Sequence, residues 1–251
     1  GYITAAVLNK LDTVYKGLWD RTLCYSTVSG GTVGAFNFIK GRENHIISKD
    51  SNFLDIIYQR NYNSRGAFGL LLGDAAETLL GSAVSNVRDW VTKSKPTNGF
   101  HDRNYRIRKE YDYILEQALK GEKFSGFGGY WKRTFYPWTR KDTVEPDMFQ
   151  GYFIRKMGQI PVHLINTFEI NSGRRTVITP FPTRSESFFP NAIKPLQDTS
   201  FDCGIARKDI RYREAVNLSE LFPFVSAASH IGFKNKDQFV DGGYYENYGI
   251  S

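Results

Sequence analysis

Thr22-Leu23-Cys24-Tyr25-Ser26-Thr27-Val28-Ser29-Gly30-Gly31-Thr32-Val33-Gly34-Ala35-Phe36-Asn37-Phe38-Ile39 is the stretch on which the reading of this chain turns. Residues 22–28 are rich in β-branched and aromatic side chains, which predicts a buried strand. Residues 30–39 predict a helix whose small residues Gly31, Gly34 and Ala35 let its start approach other backbone closely. Ser29 sits on the tight turn between the two. Strand, then x-Ser-x-Gly, then helix is the layout that pushes a serine hydroxyl off a sheet edge toward solvent. The helix dipole and the free N–H groups of its first turn favour an anion there, and the Gly30 N–H is the natural first donor to an oxyanion. The same residues also suit a serine capping an ordinary helix after a glycine-rich turn. Thr27 stands where such turns usually carry glycine, and its Cβ is expected to crowd the bend.

Working outward, Ile3, Val7, Leu8, Leu11, Val14, Tyr15 and Leu18 recur at helical spacing, so an amphipathic helix precedes the strand. Helix, strand, tight turn, helix is an α/β pattern. At the far end of the chain, Gln238-Phe239-Val240 is a short strand that delivers Asp241, followed by Gly242 and Gly243. An acid at the carboxyl end of a strand in an α/β sheet lies where active sites form. The glycines let the chain turn at once and leave the carboxylate uncovered. Asp-Gly is also an ordinary turn on its own. Ser29 and Asp241 together read as nucleophile and base with no catalytic histidine.

Between these ends, Val162 to Phe168, a turn at Asn171-Ser172-Gly173, and Arg175 to Thr179 predict a hairpin. Residues 52–93 are mostly helical in pattern, with Leu54, Ile57 and Tyr58 marking one piece. Residues 104–119 predict a charged amphipathic helix. Residues 120–148 read as irregular, 180–199 as a loop, and 209–221 as partly helical. No internal repeat is visible.

Hydrophobic residues are 41% of the 251 and charged residues 24%, which excludes global disorder. Aromatic content of 15% suits a heavily packed core or a surface that meets lipid or another apolar partner. The net charge of +7 comes from basic residues scattered in short clusters at 103–109, 132–141 and 207–213. No nucleic-acid-binding motif accompanies them, so they read as a solvated face and no nucleic-acid partner is expected. Cys24 and Cys203 are too few and too far apart for a disulfide framework or a metal site, and they suit a reducing compartment. The sequence has no run of about 18 apolar residues, the length needed to span a membrane. A helical pattern starts at once after Gly1, and the sequence stops at Ser251 just as another begins, so the expectation is a single domain, 1–251, incomplete at both ends.

In this order, the two motifs resemble the patatin-like phospholipase family, especially its bacterial members. Residues 160–167 with Ser172-Gly173-Arg174-Arg175 resemble that family's central strand pair and Gly-Arg-Arg turn. Residues 219–228 resemble its Ser-Ala-x-Phe-Pro segment, and Val240-Asp241-Gly242-Gly243-Tyr244-Tyr245-Glu246-Asn247 its Asp-Gly-Gly/Ala segment with the following Asn. The likeness is thin between Lys40 and Gln159. It implies a three-layer α/β fold with a central, mostly parallel sheet flanked by helices. It also implies a Ser29–Asp241 dyad that hydrolyses lipid acyl esters, phospholipase A-like, through an acyl-serine. A phospholipid or other acyl-ester lipid at a membrane surface is the implied partner, with no metal or organic cofactor and a cytoplasmic or membrane-associated location. The family's Gly-Gly-Gly-x-Arg/Lys loop, which forms most of its oxyanion hole, would end where this sequence starts.

Two rival readings remain at this level. A triad would need one of His45, His101, His163 or His230, of which His230 is best placed, near Asp241 in sequence. A catalytically inactive module that binds membrane or protein is suggested by Thr27 and by residues 130–141, where aromatics and bases interleave as at a lipid headgroup interface. That segment equally suits a lid packed on the core.

Overall fold

The computed structural model describes residues 1–44, 57, 115–116, 118–119, 148–171, 173–180, 194–195, 210–221, 228–230 and 238–244. The chain divides into two compact units, Gly1–Leu54 with Glu145–Ser251, and Asp55–Val144. In the second, Ile57 and Ala118 are buried helical residues; the rest of the helical expectation for 52–93, most of that for 104–119, and segment 130–141 lie outside the described residues.

The first unit opens with helices α1 (Tyr2–Val14) and α2 (Leu18–Arg21), strand β1 (Cys24–Val28) and helix α3 (Gly30–Glu43). Helix α4 (Phe149–Arg155) leads to the hairpin of β2 (Val162–Glu169) and β3 (Arg174–Ile178). Then come β4 (Lys194–Pro195), α5 (Tyr212–Ser219), β5 (Ser229–His230), β6 (Gln238–Asp241) and a 3₁₀ turn at Gly242–Tyr244. Residues 180–199 were expected to be loop throughout, yet Lys194 and Pro195 pair in parallel with Thr176 and Val177.

The fold is mixed α/β, with a small mixed sheet. The strand order is β4-β3-β2-β6-β5, and β1 also pairs with β2. The expectation of a mostly parallel sheet is corrected among the described strands. β1 with β2 and β3 with β4 are parallel, whereas β2 with β3, β2 with β6, and β5 with β6 are antiparallel. The cause is local at the β2–β3 hairpin. Gly173 (φ 65) adopts the left-handed backbone its tight turn requires, and its N–H reaches the Ile170 carbonyl at 3.3 Å.

One consequence of register positions the site. β3 pairs with residues 165–169 of β2. β1 pairs with 162–166 and β6 with 167–169, so both must lie along the opposite edge of β2 from β3. β1 runs parallel to β2 and β6 antiparallel. Their carboxyl ends therefore meet head to head, Val28 opposite Asn166 and Asp241 opposite Thr167.

Two sequence expectations change in packing. β1 was expected to be a buried strand from Thr22; it begins at Cys24, and Cys24 and Ser26 are exposed while Val28 is buried. Its inner face meets α3, with the Tyr25 and Phe38 rings edge to face at 6.3 Å. Helix α1 forms as expected, but Ile3, Val7, Leu11 and Val14 lie exposed along it. It docks instead through small groups: Ala5 is buried, and a Cβ on Gly34 would lie 2.7 Å from Thr4 Cβ and closer still to the Gly1 carbonyl. Helix α3 is buried from Thr32 to Ile39, which is why it shows no polar face there.

The core beside α3 is aromatic. The ring of Tyr212 lies 4.8 Å from Phe36, 5.2 Å from Phe149, 5.3 Å from Tyr152 and 5.2 Å from Phe153. Such rings each contribute about 1.5–3 kcal/mol by burial alone. This cluster holds α4, α5 and α3 together.

Candidate active site

Ser29 caps α3 and is the one non-glycine residue with positive φ among the described residues (φ 53, ψ −136). An L-residue held there stores about 1–3 kcal/mol, which neighbouring contacts must offset. A serine that merely caps a helix has no need of this backbone; a serine turned sharply out between strand and helix does.

The Ser29 hydroxyl donates to Asp241 Oδ2 at 2.5 Å, across 212 positions of sequence. The Gly243 N–H donates to the other carboxylate oxygen at 2.7 Å and fixes its plane. Asp241 is buried, and burial pushes its pKa up from the usual carboxylate range; the hydrogen bonds from Ser29 and Gly243 oppose this in part. A carboxylate raised in this way is a better proton acceptor than a solvated one. Gly242 follows at a point of very close approach. A Cβ there would sit 2.5 Å from the Asn166 carbonyl oxygen and 2.8 Å from Val28 Cγ2.

Gly30 takes the first helical position of α3, as its expected role at an oxyanion requires. A Cβ on it would lie 3.0 Å from the Gly1 nitrogen, so the backbone at the start of α1 passes over this helix end.

Beneath the turn lies a buried polar seam. The Ser29 N–H donates to Ser219 Oγ at 2.9 Å, and Ser219 donates to the Asn166 carbonyl at 2.6 Å. Thr32 Oγ1 lies 3.0 Å from Ser219 Oγ and accepts from Thr27 at 3.0 Å. Thr27 Oγ1 is also 2.7 Å from His163 Nε2, and His163 Nδ1 is 2.7 Å from the Tyr212 hydroxyl. Thr27 was expected to crowd the bend; its hydroxyl instead joins β1 to α3 and β2. Asn166 Nδ2 donates to the Thr27 carbonyl at 2.9 Å, while Arg175 Nε and a terminal guanidinium nitrogen hold Asn166 Oδ1 at 3.1 and 2.8 Å. Thr167 donates to carbonyls of both Leu218 and Val240 and so ties α5 and β6 to β2.

The structure brings Ser29, Gly30 and Asp241 to one place, and among the described residues no histidine lies between serine and acid. His163 is fully buried below the turn, and burial pushes its pKa down to about 3, so it is neutral at ordinary pH. His230 lies in β5 opposite Gln238. His45, His101 and Cys203 lie outside the described residues; Cys24 is a free, exposed thiol. Among the described residues no group of His, Cys, Asp and Glu is placed to hold a metal ion, and no helix is long and apolar enough to cross a membrane.

Sequence reasoning missed Ser219, Asn166, Thr32 and Tyr212 as parts of the site. A signal existed for part of it: His163 and Asn166, polar residues in a strand with Val162, Leu164, Ile165 and Phe168, must find partners when buried. No protein-family model, curated protein or solved structure matches this chain.

Proposed function

We propose that this protein hydrolyses lipid acyl esters, phospholipase A-like, on a patatin-like three-layer fold, with Ser29 as nucleophile and Asp241 as general base. The observation that carries the reading is the 2.5 Å hydrogen bond from the hydroxyl of a strained, helix-capping serine to a buried carboxylate. The stretches that resemble the patatin-like family support the lipid substrate.

In this mechanism Asp241 takes the Ser29 proton as Oγ attacks the ester carbonyl. Backbone N–H groups at the α3 N-terminus, Gly30 first, stabilise the oxyanion. Collapse expels the alcohol or lysolipid, which receives the proton from Asp241, and leaves an acyl-Ser29. Asp241 then takes a proton from water, whose oxygen attacks the acyl carbon; the fatty acid departs and Ser29 is reprotonated. The elevated pKa of Asp241 requires activity to fall as pH drops through a value above the ordinary carboxylate range of about 4.

The test is fatty-acid release from phospholipid vesicles and from a soluble acyl ester. Turnover that disappears in both Ser29→Ala and Asp241→Asn supports the reading. Turnover that survives Ser29→Ala contradicts it, and a folded protein that cleaves neither substrate leaves an inactive membrane- or protein-binding module.

A further inference from the structure

The hydroxyls beneath Ser29 can be assigned donor by donor, starting from a group that can only accept. The Asn166 carbonyl has no proton, so Ser219 must give its own to that 2.6 Å bond. Ser219 Oγ is then an acceptor for everything else, from the Ser29 N–H and from Thr32 alike. Thr32, having donated to Ser219, must accept from Thr27. Thr27, having donated to Thr32, must accept from His163, so the imidazole proton sits on Nε2. A neutral ring protonated there leaves Nδ1 bare, and the Tyr212 hydroxyl donates to it. The opposite tautomer fails: it would make Thr27 donate to His163, Thr32 to Thr27 and Ser219 to Thr32, leaving no proton for the Asn166 carbonyl. Thr27 is part-buried, but Thr32, His163, Ser219 and Asn166 are buried, so water does not offer an alternative donor to the Asn166 carbonyl.

We propose that Ser219 is a positioning residue for Ser29, held by a one-way hydrogen-bonded chain, Tyr212 to His163 to Thr27 to Thr32 to Ser219 to Asn166, whose direction is set by an Nε2-protonated His163. The positioning role rests on the reading of Ser29 as nucleophile; the direction of the chain does not. The Ser29 backbone needs an outside hold because its conformation is strained, and Ser219 grips its N–H from a site that cannot touch substrate. The chain has both ends in rigid structure: Tyr212 in the aromatic cluster and Asn166 in the middle of β2.

The experiment is nuclear magnetic resonance of ¹⁵N-labelled full chain, together with fluorophosphonate labelling kinetics of wild type and Ser219→Ala. The chain expects His163 to show a protonated Nε2 and an unprotonated Nδ1, a state readable in the wild type without any variant. In Ser219→Ala the Ser29 amide proton should move upfield. The labelling rate should drop roughly 100-fold while KM for a soluble ester stays within about twofold, because the nucleophile is misaimed rather than the substrate misbound. An Nδ1-protonated or doubly protonated His163 overturns the chain. A labelled wild type whose rate and Ser29 amide are unchanged by Ser219→Ala overturns the positioning role. In a wild type that never labels, the hydrolase reading falls. The tautomer and the Ser29 amide then still uphold or overturn the chain.

Discussion

The two turns that meet at this site are built by opposite means. The turn after β1 carries a side chain where the backbone disfavours one: Ser29 has a Cβ at φ 53 and is gripped from below by Ser219. The turn after β6 forbids a side chain where one would be natural: Gly242 lies so close to Asn166 and Val28 that a Cβ has no room. Strain held by hydrogen bonds delivers the serine, and close backbone approach delivers the acid. Both converge on the same two residues of β2, Asn166 and Thr167, because β1 and β6 end head to head there. A site that needs both turns should respond differently when each is altered.

The largest effect should come from the side chains themselves. Ser29→Ala and Asp241→Asn are each expected to lower ester hydrolysis by on the order of a thousandfold or more, measured as fatty-acid release, with far-ultraviolet circular dichroism unchanged. Next is the second turn. Gly242→Ala is expected to displace Asp241, lowering turnover roughly 100-fold and costing about 1–3 kcal/mol of stability in denaturant unfolding. The first turn should show the reverse sign. Ser29→Gly and Ser29→Ala both lack the hydroxyl, but the glycine variant should be the more stable by about 1 kcal/mol, because only glycine adopts this backbone without strain. Equal stabilities would mean that Ser29 is not strained.

The last effect, a dependence of stability on pH, tests what lies beneath the first turn. The pKa of His163 is lowered in the folded state from 6.5 to about 3. Between those values the unfolded chain binds the proton and the folded chain does not, so folding stability rises with pH there. His163 should therefore contribute a loss of stability as pH falls from 6.5 toward 3, with a slope of up to about 1.4 kcal/mol per pH unit. Urea unfolding across that range would show the slope shrink in His163→Gln; an identical slope in the variant would mean that His163 is not held neutral.

Much of this arrangement was legible in the sequence, and the reasons are local. The β1–α3 turn, the β2–β3 hairpin and the Asp241 strand each announce themselves within a few residues, through β-branched runs punctuated by glycine. What the sequence did not disclose is pairing across distance. The β2–β3 hairpin already makes the sheet mixed; that β6 also runs back along β2 is a choice no short window contains. Thr27 looked like an obstruction because its partners, Thr32 and His163, come from two other elements. Helix α1 looked core-facing because its apolar residues repeat at helical spacing, yet the contact it makes with α3 uses Thr4, Ala5 and Gly34. Periodicity reports which face is apolar; it does not report which face is covered.

The most direct measurement is the rate at which a fluorophosphonate attaches to wild type and to Asp241→Asn, with the modified peptide identified by mass spectrometry. A carboxylate that activates Ser29 through the 2.5 Å hydrogen bond requires the adduct to fall on Ser29 and to form far more slowly in the variant. An adduct on another residue, or the same rate on Ser29 with and without the Asp241 carboxylate, would contradict it.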